Sequence, residues 1–527
     1  MDKSWTRYNL LPMPRAPTVV IGAGFGGLAA AVELAARGEQ VVVIERAATP
    51  GGKARTVTVD GRSIDVGPTV LTMRWVFDDL FARAGRRLDD AVTLTPSAIV
   101  ARHAFADGTR LDLHSEVDRS AGAVARLAGS AQADAYRRFA ERGARIFEAV
   151  RGPFLEQEKP SFGALAKAGG RLGLRGLASI DAHRTMWGAL TATFDDERLR
   201  ALFGRYATYV GSSPFEAPAT LNLIAHVERE GVAVVEGGMA HLAAALAQLA
   251  ASMGVTFRYA TSVRDILLTN GRATGVVAEG PGGGREVLSA AAVIANVDVA
   301  TLASGALGAT GRTACRLPDP QRRSLSAVTW AIVGRATGFP LAHHNVFFSR
   351  DYAAEHRALF GRRELAAEAT VYVCAQDRTA DDAAPPDGDE RLFVIVNAPA
   401  TADVSPLGSA EVERCEQDML ATLARAGLQI APRAMVRATP TLFERLAPGT
   451  GGALYGEASH GPFSALARPS ARTKVPGLFL AGGSAHPGPG VPMAALSGRT
   501  AARSVLADLG ATSLTRSPAA VGSTSTG

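Results

Sequence analysis

A glycine-rich turn near the N-terminus constrains the fold of this chain more than any other feature. The apolar run 18–21 leads into Gly22, Gly24 and Gly27, which open a helical pattern that stops at Gly38. In a strand–turn–helix of this kind the first glycine permits the tight turn and the second admits a pyrophosphate close to the backbone. The third lets the helix pack on the strand. The pattern predicts an α/β fold with a dinucleotide at the start of the helix.

An acidic residue supports the same interpretation. Glu45 ends the next apolar run, VVVI, about 20 residues after the turn, where a carboxylate accepts hydrogen bonds from ribose hydroxyls. A 2′-phosphate would favour a basic residue at this position, so NADP is disfavoured. The loop 50–56, PGGKART, follows with Gly52 and the cations Lys53 and Arg55, which suit a second stretch of pyrophosphate.

Two further segments have the glycines and prolines of a ligand-facing turn. One is DVGPTVLTM, residues 65–73, an apolar stretch that is bent at Gly67 and Pro68, continues with Thr69, and suits the face of a flat ring. The other is LFLAGGSAHPGPGVPMAALSG near the C-terminus, which predicts a strand, a turn at 482–483 and a helix that begins at VPM. Because these segments are so far apart in sequence, they predict a discontinuous binding domain.

The succession of these motifs resembles the bacterial carotenoid desaturases, which are FAD-dependent flavoproteins of the amine-oxidase-like superfamily. The resemblance rests on GAGFGG, VIE, PGGKA and DVGPTV at the front, EGGM in the middle and LFLAGGSAHPGPGVPMAALSG at the back, and it spans about 17–505. The stretch AHPGPGVPM is closer to the hydroxycarotenoid 3,4-desaturases, also called methoxyneurosporene dehydrogenases, than to the phytoene desaturases. The latter usually carry glycine in place of Met493.

The resemblance implies FAD as the sole bound redox cofactor, held at both of its ends. The residues that it assigns to cofactor binding are Gly22, Gly24, Gly27, Glu45, Gly52, Lys53, Arg55, Gly67, Pro68, Thr69, Val263, Gly482, Gly483, Val491, Pro492 and Met493. His486, inside the last turn, is the candidate catalytic residue, with the alternative that it satisfies backbone groups of that turn. The loop 152–170 departs from the phytoene-desaturase pattern, so no acid or arginine is carried over as an acid–base group.

The implied reaction introduces a C3–C4 double bond into an acyclic 1-hydroxy or 1-methoxy carotenoid, by hydride transfer to the flavin and loss of a proton. Such chemistry needs positioning and a dry pocket more than a strong catalytic residue, in keeping with the lack of an evident Ser/His/Asp or paired-carboxylate pattern. Two alternatives remain open, the desaturation of phytoene or another acyclic carotene and flavin-dependent cis–trans isomerisation. The residues give no signal for the electron acceptor.

The order of the motifs predicts a Rossmann-like FAD-binding domain interleaved with an α+β substrate domain and a helical, membrane-facing insertion. The expected ranges are 17–100, 232–305 and 470–510 for the FAD-binding domain, 101–120 and 306–469 for the substrate domain, 121–231 for the insertion, and 1–16 and 511–527 for flexible tails.

Charge and composition bear on partners and location. A net charge of +6 favours an anionic surface, and no basic run is interleaved with aromatic residues, which argues against nucleic acid. For an insoluble carotenoid substrate we expect peripheral contact with the cytoplasmic face of the membrane through segment 161–180, which carries Lys167, Arg171 and Arg175. Three cysteines without paired spacing fit a reducing cytoplasm. The histidines form no HExxH motif, so no protein-bound metal is expected.

Overall fold

The computed structural model describes residues 15–159, 180–378, 386–462 and 464–515. Its strands in chain order are β1 Thr18–Ile21, β2 Val41–Ile44, β3 Thr56–Val59, β4 Arg62–Asp65, β5 Leu94–Pro96, β6 Ile99–Ala104, β7 Arg110–His114, β8 Ala233–Val235, β9 Thr256–Arg258, β10 Ser262–Thr269, β11 Arg272–Glu279, β12 Arg285–Ser289, β13 Ala292–Ala295, β14 Ser326–Thr337, β15 His344–Phe347, β16 Val371–Ala375, β17 Glu390–Ala398, β18 Gln429–Ala438 and β19 Leu478–Leu480.

The α-helices connect and cover these strands. They are α1 Phe25–Ala35, α2 Trp75–Arg83, α3 Val117–Ala128, α4 Ser130–Val150, α5 Met186–Thr191, α6 Glu197–Gly204, α7 Leu223–Arg229, α8 Gly238–Ser252, α9 Val299–Ala303, α10 Ala309–Ala314, α11 Tyr352–His356, α12 Ser409–Arg425, α13 Pro440–Leu446 and α14 Val491–Thr515. None of the described helices is long and apolar enough to cross a membrane.

The dinucleotide turn belongs to a five-stranded parallel sheet. Its strand order is β19-β13-β1-β2-β9, so neighbouring strands come from the front, the middle and the back of the chain. The strands β1, β13 and β19 are buried along their whole length, as expected for a parallel sheet that is covered on both faces. On one face, Leu28 of α1 and Leu496 of α14 share a hydrophobic core.

A seven-stranded sheet forms the second layer, in the order β18-β14-β17-β16-β15-β6-β7. All neighbours are antiparallel except β15 and β6. One face packs on α12 through Met419 and Leu423, with Trp330 in the shared core. Alternate residues on the other face, including Thr329 and Phe393, point into a large cavity.

Helices are the regular elements of the described stretch between β7 and β8, and turns and loops connect them, in keeping with the helical character that the sequence predicts. Its helices pack around a cluster of aromatic side chains that includes Phe139, Phe194 and Phe203. The segment that we expect to contact a membrane, 161–180, lies outside the described residues except for its last residue. The dipeptide Asn270-Gly271, a typical hairpin signal, joins β10 and β11, which pair across it, and both residues have positive φ, 51° and 75°.

Candidate functional site

A cavity of about 1300 Å³ lies between the parallel sheet, the seven-stranded sheet and the helical stretch. It exceeds the roughly 300–1,000 Å³ of ordinary small-molecule pockets, so it has room for more than one ligand. All of the predicted cofactor residues line it except Gly27, and the predicted catalytic residue His486 does not. The fold therefore brings the glycine turn at the front of the chain and the turn at the back to one cavity.

The three glycines of the first turn have different surroundings. Gly22 has a φ of 97°, and a Cβ built there would lie 2.7 Å from the Asn296 carbonyl oxygen. A Cβ on Gly27 would lie 2.0 Å from the Gly22 carbonyl oxygen, so the helix can approach the strand only with glycine at this position. Around Gly24 the one near atom is Asn296 Nδ2, at 3.2 Å. Gly24 is thus the glycine that leaves the backbone open to the cavity.

Glu45 holds this turn as well as facing the cavity. Its Oε2 accepts a hydrogen bond from the Ala23 amide over 2.7 Å, and its Oε1 accepts one from the Ala47 amide over 2.8 Å. The residue is 7% exposed and stands at the carboxyl end of β2, the edge where parallel sheets bind nucleotides. Each carboxylate oxygen retains a lone pair for a ribose hydroxyl.

Asn296 is a site residue that the sequence analysis missed. It follows β13, lines the cavity, and donates from Nδ2 to the Gly22 carbonyl oxygen over 3.1 Å. Its side chain also lies against Gly26 and Gly482, since a Cβ on either would be 2.6 or 3.0 Å from Asn296 Oδ1. One amide side chain therefore joins the front turn to the back turn.

The loop after β2 supplies cations to the cavity. Lys53 and Arg55 line it together with Arg46. Burial lowers the pKa of Lys53, an effect that the charge of Asp298 opposes, and burial also lowers the pKa of Arg55. Lys53 Nζ donates to the Leu454 carbonyl oxygen across the cavity. These cations would neutralise the pyrophosphate of a dinucleotide.

The segment at 67–69 crosses beside this loop. A Cβ on Gly67 would lie 2.1 Å from the Lys53 carbonyl oxygen, so glycine is required for the close approach. Pro68 and Thr69 follow in the cavity wall, and Thr69 Oγ1 shares a hydrogen bond of 2.7 Å with Tyr372 Oη on the seven-stranded sheet. Val263, at the start of β10, also lines the cavity.

The back turn meets the front helix. Gly482 follows β19 with a φ of 111°, and Gly483 comes next in the cavity wall. Helix α14 begins at Val491, and its first three residues, through Met493, all line the cavity. The start of this helix thus faces the cavity, as the glycine–proline turn predicts.

His486 lies behind the cavity wall. It is 2% exposed, its Nε2 lies 2.8 Å from the Phe154 carbonyl oxygen, and its ring stands edge-on to the Phe154 ring with centroids 4.8 Å apart. Burial lowers the pKa of His486 to about 4, so the ring is neutral near pH 7. These contacts correspond to the alternative in which this histidine satisfies backbone groups.

Another part of the cavity wall combines apolar and polar residues that are not related by their spacing in the sequence. The apolar residues come from α4, α7 and the segment after α4, and they include Phe147, Val150, Phe154, Leu155, Ile224 and Val227. Buried polar residues stand beside them, among them Arg205 and Glu228, which belong to different helical segments. No periodic pattern links two such residues, so only the folded chain shows them as neighbours.

The fold also places Cys374 beside the adjacent pair His343 and His344, with one ligand-type atom of each within 4.8 Å of the others. These groups have partners of their own, since His343 Nδ1 lies 2.9 Å from the Arg378 carbonyl oxygen and Cys374 Sγ lies 3.5 Å from His343 Nε2. Burial raises the pKa of the Cys374 thiol to about 12, so it is protonated. The expectation of no bound metal stays a prediction.

Comparison with known proteins agrees with this geometry. The family model "flavin containing amine oxidoreductase" matches residues 25–506. Among solved structures, putrescine oxidase bound to putrescine has a TM-score of 0.57 at 18% identity over 94% of this chain and 100% of that chain. Cyclohexylamine oxidase from Brevibacterium oxydans has a TM-score of 0.55 at 16% identity, over 94% of this chain and 100% of that one. The mixed α/β fold with a parallel sheet is thus that of these oxidases.

By fold and site the protein is an FAD-dependent oxidoreductase, and the chain belongs to the flavin-containing amine oxidoreductase family. Its place there is among the carotenoid desaturases. It is 46% identical to the hydroxyneurosporene desaturase of Rubrivivax gelatinosus over 96% of both chains, and 43% identical to that of Cereibacter sphaeroides over 93% of this chain and 97% of the relative. It is 31% identical to a 4,4'-diapolycopene oxygenase of Methylomonas, over 93% of this chain and 98% of the relative.

Proposed function

We propose that the protein is an FAD-dependent desaturase that introduces the C3–C4 double bond into an acyclic carotenoid with a 1-hydroxy or 1-methoxy end. The observation that carries the proposal is the single cavity of about 1300 Å³, in which the dinucleotide turns and an apolar wall meet. The identity of 42–46% to hydroxyneurosporene desaturases supports the substrate class. The comparisons do not favour phytoene desaturation or cis–trans isomerisation.

The geometry of the glycine turns and the side chains beside them fits FAD. Gly24 leaves the start of α1 open to the cavity, Glu45 stands at the ribose position, and Lys53 and Arg55 offer positive charge beside them. The start of α14 lines the same cavity. Bound FAD supplies the acceptor for a hydride equivalent from the allylic carbon of the substrate.

The apolar wall holds the polyene and excludes water. Phe147, Val150, Ile224 and Val227 offer hydrocarbon surface over which a rigid conjugated chain can lie. The conjugated chain spreads the positive charge that hydride loss creates, and this makes the neighbouring proton acidic. The wall therefore orients the substrate and keeps water out of the cavity. The reaction needs no strong base in the cavity.

We also propose that the protein contacts the cytoplasmic face of a membrane peripherally, because its substrate dissolves in lipid. The net charge of +6 supports attraction to anionic lipid. The candidate surface is segment 161–180, with Lys167, Arg171 and Arg175.

Purified protein with FAD and liposomes that carry 1-hydroxyneurosporene, neurosporene or phytoene tests the proposed reaction. The expected result is a red-shifted carotenoid spectrum with 1-hydroxyneurosporene, because a new double bond lengthens the conjugated system. Products from phytoene alone would assign the protein to the acyclic carotene desaturases. Conversion of cis isomers without a new double bond would make it an isomerase.

A further inference from the structure

One part of the cavity wall is strongly polar. It consists of Arg205, Tyr209, Glu228, Tyr352 and Tyr372, hereafter the Arg205 cluster, and all five residues line the cavity. Arg205 is 5% exposed and Glu228 is 3% exposed. Burial of charged groups beside a hydrocarbon wall is unfavourable unless those groups are paired with each other or bind a ligand. The cluster therefore needs an explanation within the cavity.

Tyr209 bridges the two charges of the cluster. Arg205 Nη1 donates to Tyr209 Oη over 2.6 Å, and Tyr209 Oη donates to Glu228 Oε1 over 2.7 Å. Burial raises the pKa of Tyr209, so its hydroxyl keeps its proton. Burial acts to lower the pKa of Arg205, but the neighbouring tyrosines and Glu228 hold it above its ordinary value. The cluster thus presents a charged guanidinium and a neutral phenol.

Two polar atoms of the cluster have no hydrogen-bond partner among the residues that the structure describes, namely Arg205 Nε and Tyr352 Oη. Tyr352 is 7% exposed, and burial raises its pKa, so it too is a neutral donor. Most buried polar groups in native proteins are paired, so unpaired donors in a cavity wall indicate the position of a ligand oxygen.

The cluster lies beside Thr69, in the segment to which the family resemblance assigns cofactor binding. Tyr372 Oη is 2.7 Å from Thr69 Oγ1 on one side and 2.7 Å from His344 Nδ1 on the other. Burial raises the pKa of Tyr372, and the nearby Tyr209 adds to this effect. Arg205 Nη2 lies 3.5 Å from His103 Nε2 behind them. The polar end of the cavity is thus one hydrogen bond away from Thr69.

This placement suits the substrate proposed above, on which the inference rests. In an acyclic carotenoid with a 1-hydroxy or 1-methoxy group, the oxygen stands only a few bonds from C3 and C4. An oxygen that is bound at the polar end of the cavity would therefore set those two carbons next to the flavin, while the polyene extends along the apolar wall. We propose that Arg205 and Tyr352, whose Nε and Oη have no other partner among the described residues, bind the oxygen of the substrate's end group and thereby select oxygenated carotenoids for 3,4-desaturation.

The same residues would discriminate against a carotenoid without that oxygen. An apolar end would cover the guanidinium and the phenol without offering an acceptor, and sites built to hydrogen-bond a hydroxyl strongly reject analogues that lack it. A purely structural network would instead support the fold equally for every substrate. The preference for the hydroxylated carotenoid over the carotenoid without a hydroxyl therefore distinguishes substrate binding from a structural role.

The test compares wild type with Tyr352→Phe and Arg205→Met, each loaded with FAD, using 1-hydroxyneurosporene and neurosporene in the same liposomes. Both kcat/KM and the dissociation constant are measured, the latter from carotenoid-induced changes in the flavin spectrum. Tyr352→Phe is expected to lower the preference for the hydroxylated carotenoid about tenfold or more, in both quantities, with FAD content unchanged. Arg205→Met is expected to lower it further.

Tyr136→Phe is the matched control, because it also removes the hydroxyl of a buried tyrosine, at a residue that does not line the cavity. Its preference ratio should equal that of wild type. The inference is overturned if Tyr352→Phe weakens the binding of both carotenoids equally or leaves the ratio unchanged. If wild type desaturates neither carotenoid, the proposed function fails, and the ratio of dissociation constants still decides whether Arg205 and Tyr352 bind the end-group oxygen.

Discussion

Gly498 in α14 lies against Gly26 in α1, so closely that a Cβ built on Gly498 would be 1.9 Å from the Gly26 carbonyl oxygen. The contact joins the last helix to the first, and both helices begin at the cavity. The two glycines let the backbones of α1 and α14 touch. The distance between these two helices fixes how the front and back turns face each other. This contact explains how residues more than 450 positions apart can form one site.

A methyl group at this contact should therefore separate the helices. Gly498→Ala is expected to destabilise the protein by about 1–3 kcal/mol, since overpacking forces backbone shifts, and to weaken FAD binding. Thermal unfolding and FAD titration check both effects. Gly510→Ala in the same helix is the control, since a Cβ there meets nothing within 4 Å. It should be neutral or slightly stabilising, and equal behaviour of the two variants would contradict the packing account.

Glu45 should strengthen FAD binding because its carboxylate accepts hydrogen bonds from the backbone of the glycine turn. Glu45→Ala removes the acceptor for the Ala23 and Ala47 amides, which bond to it over 2.7 and 2.8 Å. Hydrogen bonds to a charged group contribute about 1.5–3 kcal/mol, so FAD affinity should fall at least tenfold. Equilibrium dialysis of FAD measures the change. The exposed Glu413, on α12, serves as control, and Glu413→Ala should leave the affinity unchanged.

His486 should affect stability at acidic pH rather than turnover at neutral pH. Burial lowers its pKa from 6.5 to about 4, so the unfolded chain binds more protons between these values. The stabilisation is complete above about pH 6.5 and is lost as the pH falls toward 4. From pH 7 to pH 5, wild type should lose about 2 kcal/mol more of unfolding free energy than His486→Gln, as measured by urea titration.

The same variant separates the two roles of this histidine. A glutamine amide can donate to the Phe154 carbonyl oxygen, so desaturation at pH 7 should stay within a few-fold of wild type. A loss of several orders of magnitude with FAD still bound would instead establish His486 as a catalytic residue.

Membrane attachment should depend on charge in segment 161–180. The triple variant Lys167→Ala, Arg171→Ala and Arg175→Ala is expected to reduce co-sedimentation with anionic vesicles, because each cation near the surface contributes about 1 kcal/mol. Removing three exposed cations elsewhere, Arg86, Arg362 and Arg414, gives the same net charge. Equal loss of binding in both triple variants would show that overall charge, and not this segment, drives attachment.

The cofactor turns could be predicted from sequence because their chemistry is local. Gly22, Gly24 and Gly27 adjoin their strand and helix, and Glu45 stands a fixed number of residues away, so spacing alone defines the geometry. The hairpin at Asn270-Gly271 is likewise a local signal.

The substrate-facing wall could not be predicted, because tertiary packing assembles it. Asn296 meets Gly22 and Gly482 only when β13 pairs with β1 and β19. Arg205 and Glu228 lie in a helical stretch whose composition indicates helices but not their mutual arrangement. Tyr372 joins them from the seven-stranded sheet. None of these residues belongs to a recognisable sequence motif, and only the folded chain brings them to one cavity.

The most direct test of the central claim is an anaerobic titration of the FAD-loaded protein with 1-hydroxyneurosporene, followed by flavin absorbance and product analysis. Without an external acceptor, the account predicts that one flavin is reduced for each C3–C4 double bond formed. Neurosporene under the same conditions should reduce far less flavin. A flavin that stays oxidised, or a carotenoid that isomerises without flavin reduction, would contradict the account.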